Sequence, residues 1–314
     1  MPSLRQGSIH LFQVAGIDVY LHWSWFVVAA YEIQGRHGSY TSGLWNVLEY
    51  LALFLIVMLH EFGHALACHQ VGGTANRIVL WPLGGVAYVN PPQRPGATLW
   101  SIAAGPLVNV ALAPLLIGFF LMSRSLGWAH TMPNAYQLAV AVLSINLGLL
   151  AFNILPIFPL DGGQILRSLL WFMLGRARSL MVATVIGLIG IVGLIGLAVL
   201  MRSILGGAIC IFMLMNCWGG LRHAQELLRI AKLPRRPGFT CPSCRMAPPA
   251  GAYWQCGQCR QAFDTFETKG ACPHCEAQYA TTMCLDCGEL RPMSQWIAGA
   301  TPGLGVVNGG VPVK

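Results

Sequence analysis

The sequence predicts an α-helical polytopic membrane protein of about six transmembrane helices with a small β-hairpin at the membrane boundary, followed by a small, polar, cysteine-rich domain. Three observations carry this reading. Of 314 residues, 55% are hydrophobic and only 10% charged, and the mean hydropathy is +0.59, whereas a soluble domain carries about a quarter charged residues. Apolar stretches of span length, or nearly so, recur at 20–35, 46–70, 98–122, 136–156, 180–201 and 203–221. Eight of the 11 cysteines fall within 241–287 as four Cys-x-x-Cys pairs. The net charge of +8 admits nucleic acid as a partner, but the basic residues lie mainly between spans and just after the last one. The charge is therefore assigned to membrane topology.

Met1 to Gln13 lacks the apolar core and small-residue cleavage site of a secretory signal, so the first span is expected to remain in the mature chain. That span is short and contains His22. The second holds His60-Glu61-Phe62-Gly63-His64 in an otherwise uncharged apolar run. A charged residue in hydrocarbon costs roughly 2.5–3.5 kcal/mol, so the cluster marks function. On a helix, His60 and His64 share one face, where both imidazoles can grip one Zn²⁺ with Glu61 as general base.

Between the second and third spans, Ile78, Val79, Leu80, Val86, Tyr88 and Val89 flank Pro82-Leu83-Gly84-Gly85, which reads as two short strands around a turn. Unpaired backbone at membrane depth must be covered by protein or water. The hairpin is expected at the cytoplasmic boundary near the histidines, with an ordinary surface hairpin as the alternative. The fourth span is interrupted by Asn153-Ile154-Leu155-Pro156-Ile157-Phe158-Pro159-Leu160-Asp161-Gly162-Gly163. Two histidines leave a catalytic zinc one protein ligand short, and Asp161, set between helix-breaking prolines and close-packing glycines, is the candidate. Capping of a following helix is its other reading.

The fifth and sixth spans are separated only by Met201-Arg202-Ser203, either a tight helical hairpin or one long bent element. With the N-terminus inside, the inner connections hold Arg5, Arg77, Arg94, Arg167, Arg176 and Arg178 and the basic run after Leu221, against Arg36, Arg124 and Arg202 outside. Both termini are expected to be cytoplasmic. Spans two and four then run the same way, bringing His60, His64 and Asp161 to similar depth. Pro234-Arg235-Arg236-Pro237-Gly238 reads as a linker, and 298–314 as a flexible tail. The expected domains are thus 1–232, 233–297 and 298–314.

Within the second domain, Cys241, Cys244, Cys256, Cys259, Cys272, Cys275, Cys284 and Cys287 supply thiolates for two structural zinc sites. Disulfides are disfavoured by the expected cytoplasmic position. Asp264, Glu267, Glu276, Asp286 and Glu289 offset the basic residues of this domain, which argues against nucleic acid. Cys68, Cys210 and Cys217 sit in apolar sequence as structural thiols.

Taken together, His60 to His64 and the Asn153 to Gly162 motif make the chain resemble the site-2 protease family of intramembrane zinc metalloproteases. Ser101-Ile102-Ala103-Ala104-Gly105-Pro106-Leu107-Val108-Asn109 is similar to a family segment that packs beside the catalytic helix, and Leu11 to Ser24 resembles the opening of the bacterial six-span branch. The resemblance covers about residues 8–225. It implies a bacterial cell-membrane enzyme in which His60, His64 and Asp161 hold one catalytic Zn²⁺ and Glu61 moves the proton. Asn153 either stabilises the oxyanion or satisfies freed backbone groups. Substrates would be membrane-anchored regulatory proteins cut in or near a transmembrane segment, the unwound strand pairing along the hairpin at Gly84 and Gly85. Tyr253 to Cys259 with Cys272 to Cys275 resembles a rubredoxin-like zinc ribbon, which favours nesting of Cys241/Cys244 with Cys284/Cys287, while sequential pairing stays open. Branch members often carry a nucleotide-sensing or peptide-binding domain where this chain has cysteine knuckles, so a protein regulator docking there is an expectation of its own. The competing function is a non-proteolytic zinc-binding membrane adaptor.

Overall fold

A computed structural model describes residues 7–27, 29, 40–81 and 84–296. Residues 28 and 30–35 of the first expected span, Pro82-Leu83 of the expected turn and the tail at 298–314 lie outside the described residues. By internal contacts the chain divides into two units, Met1–Leu221 and Arg222–Lys314.

The first unit opens on β1 (Ser8–Val14) and β2 (Ile17–His22), joined through Ala15 and Gly16 at φ 52° and 77°. Two positive φ values make the tight turn whose twist matches a hairpin. β2 alternates, burying Ile17 and Val19. Helix α1 (Gly43–Gln70) follows, its first turn capped by the Ser42 hydroxyl, which accepts from the Leu44 N–H. Next come β3 (Arg77–Trp81) and β4 (Gly84–Ala87): two strands stand where the sequence predicts them, but Gly84 and Gly85, expected in the turn, belong to β4, and Tyr88 and Val89, expected in the strand, lie past its end. The sheet has the order β1-β2-β3-β4, with β2 and β3 parallel and the outer pairs antiparallel. Its apolar face, with Ile17, Val19, Ile78 and Leu80, packs on Val57, Ala65 and Cys68 of α1.

Helices α2 (Pro95–Ser125), α3 (Trp128–Thr131), α4 (Pro133–Ile154), α5 (Asp161–Leu200) and α6 (Ile204–Ala231) complete the helical part. Helix α2 is central, packing on α1, α4 and α5. Among the described residues, α1, α2, α4 and α5 are long and apolar enough to cross a bilayer. Against the six expected spans, the described start of the first is strand β2, and the sixth is α6. Helix α5 absorbs both the segment after Asp161 and the fifth expected span, breaking at Gly175 (φ 76°, ψ 170°). After Met201-Arg202-Ser203 the chain reverses: Cys217 Sγ donates to Thr184 O (3.3 Å), and Ile191 packs with Met213 and Cys217. This is the helical hairpin of the two forms left open by the sequence.

Beyond the end of α6, which it includes from Arg222 on, the second unit has little regular structure. Strand pairs β5 (Trp254–Gln255) with β6 (Ala262–Phe263) and β7 (Thr281–Met283) with β8 (Leu290–Pro292) surround a core of Trp254, Phe263, Phe266, Trp296 and cysteines. The expected linker is pinned rather than loose. The Arg236 N–H donates to Pro248 O (2.9 Å) and the Ala250 N–H to Pro234 O (2.8 Å). Arg235 grips both carboxylate oxygens of Asp286 at 2.6 and 3.0 Å. Charge complementarity across about 50 residues of sequence decides this, which local composition does not reveal.

Candidate metal centre

Helical spacing puts His60 and His64 one above the other on α1, and the break after α4 delivers Asp161 to them as the first residue of α5. His60 Nε2 lies 3.0 Å from Asp161 Oδ2 and 3.2 Å from His64 Nε2, and His64 Nε2 lies 3.3 Å from the same carboxylate oxygen. Tetrahedral coordination with bonds of about 2.0–2.1 Å has edges of about 3.3–3.4 Å, so the three donors outline one face of such a tetrahedron. Both histidines are buried and Asp161 nearly so. The capping alternative for Asp161 is not what the geometry has: the start of α5 has no side-chain cap, and the carboxylate turns to the imidazoles.

Both ring orientations are held from behind. His60 Nδ1 lies 2.7 Å from Asn109 Oδ1, and His64 Nδ1 lies 2.9 Å from Ser101 O. Each of those oxygens only accepts, so each ring places its N–H on Nδ1 and turns the Nε2 lone pair inward. Asn109 is itself fixed: its Nδ2 donates to Asn146 Oδ1 (2.9 Å), and Asn146 Nδ2 donates back to Asn109 O (3.0 Å). All four atoms belong to residues with no exposed surface. Asn146 is absent from the sequence-level set, although an asparagine inside an apolar span is a signal in its own right.

Two glycines make the geometry possible. A Cβ on Gly105 would fall 2.2 Å from His64 Nε2 and 2.9 Å from His60 Nε2. A Cβ on Gly162 would fall 2.2 Å from Ile154 O, so only glycine lets α5 start against the end of α4.

Glu61, also buried, accepts the Ala87 N–H at Oε2 (2.9 Å). Ala87 is the last residue of β4, and the pairing explains the contact. The Tyr88 N–H donates to Arg77 O, so in the register Ile78↔Ala87 and Leu80↔Gly85 the amides of Gly85 and Ala87 face away from β3. The outer edge of β4, where Gly85 and Ala87 present their amides, therefore meets the Glu61 carboxylate at Ala87. Asn153 lies half-buried in the last turn of α4 and makes no side-chain hydrogen bond within the described residues.

In the second unit the eight cysteines gather as two groups, Cys241, Cys244, Cys284 and Cys287, and Cys256, Cys259, Cys272 and Cys275. The Tyr279 hydroxyl, 3.1 Å from Cys256 Sγ, is the main cause that pulls the Cys256 thiol down to about 5. Hydrogen bonds from Cys244 and Cys284 draw Cys287 down to about 2.

Residues 49–140 and 128–197 match Peptidase family M50, and this range contains His60, Glu61, His64, Asn153 and Asp161. A zinc metalloprotease of Methanocaldococcus jannaschii is 36% identical over 180 residues, 57% of this chain and 50% of that protein. Stage IV sporulation protein FB of Bacillus subtilis is 35% identical over 120 residues, 37% of this chain and 38% of that protein. The chain spans half the length of the first of these relatives and less of the second. A solved site-2 protease from Methanocaldococcus jannaschii is 28% identical, with a TM-score of 0.49, covering 68% of this chain and 95% of that one. Through residues 49–197, with the His60–His64 and Asn153–Gly162 motifs inside the match, the chain is similar to peptidase family M50.

Proposed function

We propose that this chain is an intramembrane zinc metalloprotease that hydrolyses peptide bonds in or near transmembrane segments of membrane-anchored regulatory proteins. The observation that carries the reading is the buried face of donors formed by His60, His64 and Asp161 between two membrane-length helices. The donor set fits Zn²⁺, which when bound supplies a Lewis acid that polarises a carbonyl and makes water a nucleophile near neutral pH.

The chain's own residues do the rest. Asn109 and Ser101 hold the two imidazoles in the tautomer that binds metal. Glu61, steadied by the Ala87 amide, takes a proton from the attacking water and passes it to the leaving amine. Asn153 supplies a donor to the developing oxyanion. A transmembrane substrate hides its carbonyls in helical hydrogen bonds and must unwind, and the outer edge of β4 at Gly84 and Gly85 receives the unwound strand. Both termini lie in the cytoplasm of a bacterial cell, and the cysteine-rich unit offers a surface to a protein regulator.

Purified protein with a panel of single-span substrates, run beside Glu61→Gln, tests the reading. Cleavage by the parent alone is expected. Cleavage by both forms refutes the role of Glu61, and cleavage by neither favours the non-proteolytic adaptor.

A further inference from the structure

The second unit has too little regular structure to hold itself. Its sheets are two separate strand pairs of two or three residues, and an isolated two-stranded hairpin is marginal in water. Domains of this size are usually stapled.

Four turns of one geometry supply the staples. In each, the first cysteine's N–H donates five residues ahead: Cys241 to Met246 O, Cys256 to Gln261 O, Cys272 to Ala277 O and Cys284 to Glu289 O, all at 2.9 Å. In each, the residue four past that cysteine donates back to its carbonyl and has positive φ: Arg245 at 61°, Arg260 at 60°, Glu276 at 59° and Gly288 at 77°. Three of these are not glycine, and so many left-handed side-chain-bearing residues at equivalent places require a common purpose. The turns bring sulfurs together in nested order. Cys241 and Cys287 stand 3.7 Å apart, Cys244 and Cys284 3.7 Å, Cys256 and Cys275 3.5 Å, and Cys259 and Cys272 3.7 Å. A disulfide needs about 2.05 Å. Four thiolates around Zn²⁺ with bonds of about 2.3 Å have edges of about 3.8 Å.

The two groups do different mechanical work. The inner one joins neighbouring turns. The outer one joins the beginning of the unit to its end, and its second turn carries Asp286 between Cys284 and Cys287. Arg235 grips Asp286 with both guanidinium nitrogens and with one of them also donates to Ile230 O (3.1 Å) in the last turn of α6. We propose that the unit holds two closed, thiolate-only zinc ions, and that the outer one, through Asp286 and Arg235, fastens the cysteine turns to the last turn of α6 within the same unit, while the inner one only folds the unit's middle.

The test uses the full chain in detergent. Elemental analysis should find three zinc ions in the parent, two in Cys241→Ser/Cys244→Ser, two in Cys256→Ser/Cys259→Ser and two in His64→Ala. Because the His64→Ala arm counts the membrane ion separately, failure of the protease reading leaves this inference standing, and the reverse. Trypsin should cut after Arg235 roughly tenfold faster when the outer pair is replaced, since a charge-assisted bridge loses its anchor, and at the parent rate when the inner pair is replaced. Equal acceleration by both replacements, or by neither, overturns the fastening role. Alkylation of the unmutated chain serves if a variant fails to fold: the eight cysteines should resist until a chelator is added. Labelling without chelator, disulfide-linked peptides, or iron in place of zinc overturns the site assignment.

Discussion

Replacing Asn109 by Leu separates orientation of the metal ligands from stability of the fold. Leucine is close to asparagine in size but offers no polar atom, so two buried groups lose their partners: the His60 Nδ1–H, now 2.7 Å from Asn109 Oδ1, and Asn146 Oδ1, now 2.9 Å from Asn109 Nδ2. Each orphan costs about 1–3 kcal/mol, so the folded chain should lose about 2–6 kcal/mol. Freed from its acceptor, the His60 ring no longer has its tautomer or rotation fixed, and loss of such an outer partner weakens metal binding about 10–100-fold. That corresponds to about 1.4–2.8 kcal/mol in affinity. Asn146→Leu is the control. It orphans Asn109 Nδ2 but leaves the Asn109 oxygen on His60, so it should lower thermal stability comparably while changing affinity by a few-fold at most. The assay is chelator competition followed on the ion that His64→Ala removes, with thermal unfolding of the same samples. If folded Asn109→Leu binds that ion within twofold of the parent, the positioning argument is refuted.

Gly105→Ala puts a methyl group 2.2 Å from His64 Nε2. It should abolish binding at the membrane site, since neither ring can retreat without losing Ser101 O or Asn109 Oδ1; elemental analysis showing the full complement of zinc would contradict this. Gly85→Val should reduce cleavage more than metal content, because it alters the β4 edge and not a residue of the donor set. Parallel assays of cleavage and zinc check it, and equal loss of both would count against strand pairing.

Much of the site was legible in one dimension because its logic is local. Helical spacing unites His60 and His64, and helix-breaking prolines with close-packing glycines single out Asp161. The paired strands over 77–87 follow from turn chemistry, whereas the sequence left the reversal at 201–203 open between a hairpin and one bent helix. The pairing of β2 beside β3 escaped this reading, although the alternation of Ile17 and Val19 and the Ala15-Gly16 turn were its signal. Two strands separated by α1 pair only when the intervening helix packs, and no window of sequence contains that event. The same holds for Arg235 with Asp286, which turned an expected linker into a clasp.

Residue type and spacing alone therefore named the candidate groups: a two-histidine helix, a carboxylate at a broken span and eight thiols in four pairs. Three-dimensional packing settled which of them meet and how they are aimed. It turned the Asp161 carboxylate to the two imidazoles and not to the start of its helix, gathered the cysteine sulfurs in nested and not sequential order, and set the Asn109–Asn146 pair behind His60. The physical reason is range. Helical periodicity and turn preference act over a few residues, whereas a donor finds an acceptor 37 or 101 positions away only after the helices between them have packed.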